Sequence, residues 1–242
     1  MARSIYIASP AAGTGKSTVA LGLVSTLTKV VAKVGVFRPF VTSRQADPFL
    51  DLLLARSGSA TPTSAAIGTT WDEYHADPEE SLAAIVSAYR AVAREHDVVI
   101  IDGSDFTDVA GNPELALNAR VAANLGVPVL LVVSGAAAPE EVRSSVEVSM
   151  AEIATEHART VAVVANKCLP ATRDAVARTL GGLDDVAVTT LPEVPLLSAP
   201  SVREVMDHLD GTLIVGDPAL LEREAESVLV AAMDVSHVLE RL

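Results

Sequence analysis

Short apolar runs alternate along the chain with stretches in which apolar residues recur at helical spacing. The run at residues 98–101 is apolar on both faces, which is typical of a central strand in a parallel sheet. The predicted strands cover residues 4–8, 35–37, 98–101, 127–133, 160–165 and 186–190. The predicted helices cover residues 17–31, 77–95, 113–125, 139–157 and 173–180. This order predicts an α/β fold: a doubly wound, mostly parallel sheet with helices on both faces.

The pattern weakens twice. Pro39 is expected to end the second strand, because a proline cannot donate to a sheet ladder, and residues 42–77 then predict a variable insert around one apolar stretch. Beyond Pro200 the remaining signals are a short helix near residues 202–209, apolar stretches at residues 212–215 and 228–232, and a helical start at Val235. We therefore predict one domain over residues 1–200 and the start of a second over residues 201–242.

The second segment is too short to build a core of its own, so we expect its domain to continue past Leu242.

Composition narrows the choice of partners for the whole chain. It carries 31 acidic and 18 basic residues, a net charge of −13, which repels nucleic acids and anionic membranes. A single cysteine, no membrane-spanning apolar run and no signal-peptide pattern lead us to expect a cytoplasmic protein without disulfides.

Residues 9–18, Ser-Pro-Ala-Ala-Gly-Thr-Gly-Lys-Ser-Thr, lie between a predicted strand and a predicted helix. This is the context of a phosphate-binding P-loop, in which backbone N–H groups and the helix start surround phosphate oxygens. Lys16 would reach the β and γ phosphates, and the Ser17 hydroxyl would bind Mg²⁺. The predicted phosphate-binding residues are Gly13, Thr14, Gly15, Lys16, Ser17 and Thr18. Pro10 replaces the usual first glycine, so a degenerate loop that binds nothing is the alternative.

An acidic residue follows the apolar run at residues 98–101. Asp102 at this position would face the phosphate site and hold Mg²⁺ together with Ser17. Asp105 and Asp108 lie in the same loop, and the sequence leaves open which acid points at the metal.

A second polar corner follows the strand predicted at residues 160–165. Asn166 is placed where P-loop proteins read a purine base, and Leu169 occupies the place of the aspartate that reads guanine. Adenine is therefore favoured, with Mg-ATP as the expected ligand, and a simple turn-forming asparagine is the alternative. We expect the neighbouring Cys168 to be a small buried side chain, because no charge pattern marks it as activated.

No catalytic set of nucleophile, base and orienting acid can be assembled, so no catalytic residue is predicted. The five histidines are scattered without metal-ligand spacing. The lone Trp71 is expected to pack the insert rather than to stack on a base.

Several stretches together resemble the dethiobiotin-synthetase-like branch of P-loop proteins: the loop itself, VFRP, DPEE, HDVVIIDG, GVPVLLVVSG and VVANK. Within this branch, the chain resembles the N-terminal part of the long, multidomain bacterial phosphate acetyltransferases along nearly its whole length. The resemblance extends over EVPLLSAPSVREVMDHLDGTLIVGD and the final AAMDVSHVLERL. It implies a regulatory, nucleotide-binding domain in acetyl-CoA metabolism, a homo-oligomeric assembly, and acetyl transfer from coenzyme A to phosphate by a separate C-terminal domain.

The alternative is a free-standing ATP-dependent ligase similar to dethiobiotin synthetase. That family has a functional lysine where this chain has Arg38, which cannot lose its proton. Its loop has Thr and Asp in place of Pro10 and Ala11, and its Glu-Gly-Ala-Gly stretch is replaced by residues 102–105. These departures favour binding over ligase chemistry. Partitioning ATPases with a deviant P-loop are a third option, but their signature lysine would fall at Ala11.

Overall fold

The computed structural model describes residues 2–45, 47–104, 114–183 and 185–225. The chain divides into two compact units, Met1–Glu193 and Val194–Leu242. The first unit contains the sheet and the P-loop, and it is the unit in which the predicted site lies.

A parallel sheet runs through the first unit. Its strands are β1 (Arg3–Ala8), β2 (Val34–Val41), β3 (Ile67–Thr70), β4 (Val98–Asp102), β5 (Val129–Ser134), β6 (Thr160–Cys168) and β7 (Ala187–Pro192). Across the described residues the strand order is β3-β2-β4-β1-β5-β6-β7, and every neighbouring pair is parallel. The chain thus winds outwards in both directions from β1 and β4, which confirms the predicted doubly wound fold.

Helices cover both faces of this sheet. They are α1 (Lys16–Leu27), α2 (Pro48–Ser57), α3 (Trp71–Ala76), α4 (Pro78–Glu95), α5 (Glu114–Leu125), α6 (Pro139–Thr155) and α7 (Arg173–Leu180). Successive strand residues such as Ile100 and Ile101 belong to two different hydrophobic clusters, as alternation along a strand requires. One cluster takes side chains from α1 and α2, and the other from α3 to α7.

Two expectations about the second strand and the insert were wrong. Pro39 lies inside β2. The N–H of Arg38 points towards β3, so the nitrogen of Pro39 points towards β4. The pairing of β2 with β4 has ended at Phe37, and the proline therefore removes no hydrogen bond of the sheet. The region of residues 42–77 contains two helices and the edge strand β3. The four residues of β3, Ile-Gly-Thr-Thr, are too few and too mixed to predict a strand. Trp71 packs there as expected, stacked on Phe40 at 5.2 Å between ring centroids.

Local signals for the long helix α4 are confirmed. Asp77 accepts a hydrogen bond from the backbone N–H of Glu80 at 3.0 Å, and Pro78 occupies the first turn. No helix of the described residues is long and apolar enough to cross a membrane.

The described part of the second unit is small. Helix α8 (Val202–His208) starts with a capping box, in which Ser201 and Glu204 exchange hydrogen bonds between side chain and backbone. Residues 212–215 form no regular element. The features predicted at residues 228–232 and at Val235 lie outside the described residues.

Candidate functional site

The loop of residues 9–15 connects the carboxyl end of β1 to the start of α1. Gly13 and Gly15 have φ angles of 73° and 81°, in the left-handed region that favours glycine. The hydroxyl oxygens of Ser9 and Thr14 lie 2.8 Å apart, and Ser9 Oγ donates to the carbonyl of Ala11 at 2.7 Å. The sequence therefore folds into the tight turn that the motif predicts, held by hydroxyl groups of the loop itself.

Lys16 follows the loop as the first residue of α1. Its ammonium group donates to Asp102 Oδ1 at 2.6 Å and to the carbonyl of Gly103 at 2.6 Å. The side chains of Lys16 and Asp102 are 2% and 0% exposed, so the pair is withdrawn from water. The sheet brings Lys16 and Asp102 together, because β1 and β4 are parallel neighbours and Ile7 pairs with Asp102.

The other carboxylate oxygen of Asp102 faces Arg38 from β2. Arg38 Nε lies 3.3 Å from Asp102 Oδ2, and Arg38 Nη1 donates to both carboxylate oxygens of Asp47 at 2.9 and 2.7 Å. Lys16, Asp102, Arg38 and Asp47 thus form one nearly buried row of alternating charges, which we call the charge network. Its formal charge sums to zero, which offsets much of the cost of burying charges.

Asp47 also fixes the start of α2. It accepts a hydrogen bond from the backbone N–H of Leu50 at 2.9 Å, as an N-cap residue does. Sequence reasoning missed Asp47 entirely and treated Arg38 only as a replacement for a ligase lysine. The Asp-Pro pair at residues 47–48 is a local signal for the start of a helix. No local sequence pattern predicts the ion pair of Asp47 with Arg38, nine residues earlier.

A polar cluster supports the loop that follows Asp102. Asn118 Oδ1 accepts hydrogen bonds from the Tyr6 hydroxyl at 2.7 Å and the Ser104 N–H at 3.0 Å. A side chain at Gly103 would meet Asn118, Tyr6 and the carbonyl of β1 residue Ile7. Burial, followed by the negative charge of Asp102, raises the pKa of Tyr6 well above its usual value of 10.0, so its hydroxyl remains a donor. Sequence reasoning also missed this support.

Asn166 lies against the P-loop. Its amide nitrogen donates to the carbonyl of Thr14 at 2.8 Å, and a Cβ atom at Gly15 would collide with that nitrogen. Lys167 follows with a φ angle of 59°, at an irregularity of β6, and its Cε lies 3.7 Å from the position such a Cβ would take. Asn166 is thus brought to the phosphate loop, and its role in reading a base stays a prediction.

The remaining predicted residues are placed as follows. Ser17 is partly exposed and Thr18 exposed on the first turn of α1. Asp105 and Asp108 lie outside the described residues, so the choice of acid stays open there. No group of three or more His, Cys, Asp or Glu residues within the described ranges is arranged to hold a metal ion.

Cys168 is completely buried, as expected, and burial raises the pKa of its thiol.

Two curated relatives are called phosphate acetyltransferase. The protein from Nitratidesulfovibrio vulgaris is 27% identical over 259 aligned residues, which cover 99% of this chain and 36% of the relative. The protein from Synechocystis sp. is 24% identical over 256 residues, which cover 100% of this chain and 36% of the relative. The chain therefore spans about a third of the length of these relatives.

Solved structures share the fold. A putative plasmid partition protein from Borrelia burgdorferi, bound to AMPPNP, superposes with a TM-score of 0.55 at 14% identity, over 91% of this chain and 94% of that one. The septum site-determining protein MinD from Pyrococcus horikoshii, complexed with Mg-ADP, reaches 0.50 at 20% identity, over 82% and 84%. A family model described as an AAA domain matches residues 3–201, which include the P-loop and the whole sheet, and the chain belongs to this family.

Proposed function

We propose that this chain is the nucleotide-binding, regulatory domain of a phosphate acetyltransferase. A separate C-terminal domain would convert acetyl-CoA and phosphate into acetyl phosphate and coenzyme A. The observation that carries the nucleotide site is the contact between the P-loop Lys16 and the buried Asp102. The similarity to two phosphate acetyltransferases across nearly the whole chain supports the parent activity.

Mg-ATP is the proposed ligand. Backbone N–H groups of residues 13–18 would surround its phosphates, and the Lys16 ammonium would exchange Asp102 and the Gly103 carbonyl for phosphate oxygens. Ser17 and Asp102 would hold Mg²⁺, and their hydroxyl and carboxylate oxygens are donors that this ion prefers. A bound Mg²⁺ supplies positive charge that offsets the phosphates. Asn166, beside the loop, would contact the adenine.

The charge network gives nucleotide binding a way to act at a distance. When Lys16 turns to phosphate and Mg²⁺ binds Asp102, Arg38 is the one cation of the charge network that stays beside Asp102. Arg38 is also the partner of Asp47 at the start of α2. A ligand that favours one arrangement of these four residues shifts the population of α2 positions. We propose that this shift regulates acetyl transfer.

The remaining organisation is proposed on the resemblance. Residues 1–200 form the nucleotide-binding domain, and residues 201–242 begin the domain that connects it to the acetyltransferase part. The partners are that part and further copies of the same chain, in the cytoplasm. Neither nucleic acid nor a membrane is a partner of a surface with a net charge of −13.

The regulatory role is tested in the full-length protein, by measuring acetyl phosphate formation with and without Mg-ATP. The wild type and Lys29→Ala, which changes an exposed lysine just after α1, should respond equally to nucleotide. Lys16→Ala should keep the basal rate and lose the response. A nucleotide response that survives Lys16→Ala would refute the proposal.

A ligase would behave differently. Diaminopelargonate and bicarbonate should stimulate phosphate release from ATP by a dethiobiotin-synthetase-like enzyme, and we expect no stimulation here. Arg38 is already bound through its guanidinium to Asp47, at 2.9 and 2.7 Å, rather than free for a substrate. Stimulated turnover that Lys16→Ala abolishes would favour the ligase.

A further inference from the structure

Three arginines without an acidic partner line one open cavity of about 1050 Å³. They are Arg3 at the start of β1 and Arg90 and Arg94 near the end of α4. Among the described residues, none of the three has a carboxylate within 4.0 Å. All three side chains are exposed, and they gather at one cavity of a chain that carries 31 acidic and 18 basic residues.

The cavity lies at the amino ends of β1, β4 and β5, whereas the P-loop lies at the carboxyl end of β1. Because β1 has six residues, the two places are separated by roughly 15–20 Å along the strand. The cavity is therefore distinct from the nucleotide site. Its volume is comparable to that of the larger small-molecule pockets.

The charge lining the cavity is positive. Asp97 is the one carboxylate among the residues that line it, against three guanidinium groups. Both ring nitrogens of His96 already have hydrogen-bond partners. Nδ1 lies 2.8 Å from the Val92 carbonyl, and Nε2 lies 2.8 Å from Ser59 Oγ. The free donors of the cavity are thus mainly arginine N–H groups.

Helix geometry does not explain the arrangement. Arg94 is favoured by the negative end of α4, since it lies in the last turn. Arg90 lies four residues earlier on the same face, where like charges repel, and Arg3 comes from a different element. An anion placed between them would remove the repulsion.

We propose that this cavity is a second ligand site that binds a small anion with carboxylate or phosphate groups. The planar guanidinium group matches both anions through paired N–H donors, so arginine is the side chain expected for either. The site does not depend on the nucleotide proposal, because it shares no residue with the P-loop or the charge network.

Calorimetric titration with succinate and with inorganic phosphate tests the site and separates the two chemistries. Lys16→Ala serves as the parent protein, so that the P-loop does not contribute to phosphate binding. Arg90→Gln/Arg94→Gln is compared with Arg173→Gln/Arg178→Gln. The second pair removes two exposed arginines from α7 that have no ion pair within the part of the chain that the structure describes. We expect saturable binding of at least one anion, weakened about tenfold or more by the first pair and unchanged by the second.

Equal weakening by both double variants would show nonspecific attraction and overturn the proposal, as would no saturable binding of either anion. Arg3→Gln provides a second variant on a different element, and it should also weaken binding. Circular dichroism melting checks that each variant is folded. If Arg90→Gln/Arg94→Gln is unfolded, an unchanged affinity in folded Arg3→Gln overturns the proposal.

Discussion

Replacing Asp102 by asparagine tests the charge network directly. The substitution keeps the shape of the side chain and removes the negative charge between Lys16 and Arg38, whose side chains are 2% and 9% exposed. Removing one partner of a buried ion pair costs about 3–5 kcal/mol, because the remaining charge has no compensation. Since domains are stable by about 5–15 kcal/mol, Asp102→Asn should lose a large part of the free energy of unfolding.

Urea unfolding followed by Trp71 fluorescence measures the loss. Trp71 is the one tryptophan in the sequence, and it packs on Phe40 inside the first unit. Glu156→Gln is the matched control, because it makes the same chemical change in an exposed ion pair with Arg120 at 3.1 Å. Such exposed pairs contribute about 0–1 kcal/mol.

The reasoning is refuted if Asp102→Asn costs no more than Glu156→Gln. A further comparison isolates the electrostatic part. In an Arg38→Met background, the second cation facing Asp102 is gone, so Asp102→Asn should cost less than it does in the wild type. An equal cost in both backgrounds would place the effect of Asp102 outside the contact with Arg38.

Four other predictions concern the same unit. Gly103→Ala should destabilise by about 1–3 kcal/mol, because its Cβ would lie 2.7 Å from a backbone carbonyl of β1. Gly22→Ala, in α1 with open space around it, should stabilise by about 0.5–1 kcal/mol, and thermal unfolding measures both changes. The Arg44 guanidinium, followed by a backbone hydrogen bond, lowers the pKa of Glu73 from 4.5 to about 2. Its contribution to stability is therefore present above pH 4.5 and lost as the pH falls towards 2, so the wild type and Glu73→Gln should converge over that range in acid unfolding curves. Because burial raises the pKa of the Cys168 thiol, this residue should react with a disulfide reagent at pH 8 only after unfolding, and rapid labelling of the native protein would contradict its burial.

The central strands can be predicted from the sequence because burial on both faces requires a continuous run of apolar residues. Residues such as Ile100 and Leu131 face the core from both sides of the sheet, so apolar residues follow one another without interruption. The edge strand β3 has a short, mixed sequence and depends on its pairing with β2, which no local pattern records. The prediction that Pro39 ends β2 was wrong because β2 no longer pairs with β4 at this residue, so no N–H is needed there.

The site divides in the same way. The proximity of Lys16 and Asp102 is predictable. Asp102 ends β4, Lys16 follows the loop after β1, and the carboxyl ends of parallel strands meet at one edge of the sheet. The contacts of Arg38 with Asp47 and of Tyr6 with Asn118 join segments whose proximity is decided only by the complete fold. Tertiary hydrogen bonds of this kind have no spacing rule that a single sequence can reveal.

The central claim is that the P-loop binds nucleotide through Lys16. Calorimetric titration of Mg-ATP into the wild type, Lys16→Ala and the exposed-lysine control Lys29→Ala tests it most directly. The account predicts saturable heat for the wild type and Lys29→Ala, and a loss of at least about tenfold in affinity for Lys16→Ala, since a charge-assisted hydrogen bond contributes about 1.5–3 kcal/mol. No heat in the wild type, or equal affinity in all three proteins, would contradict the claim.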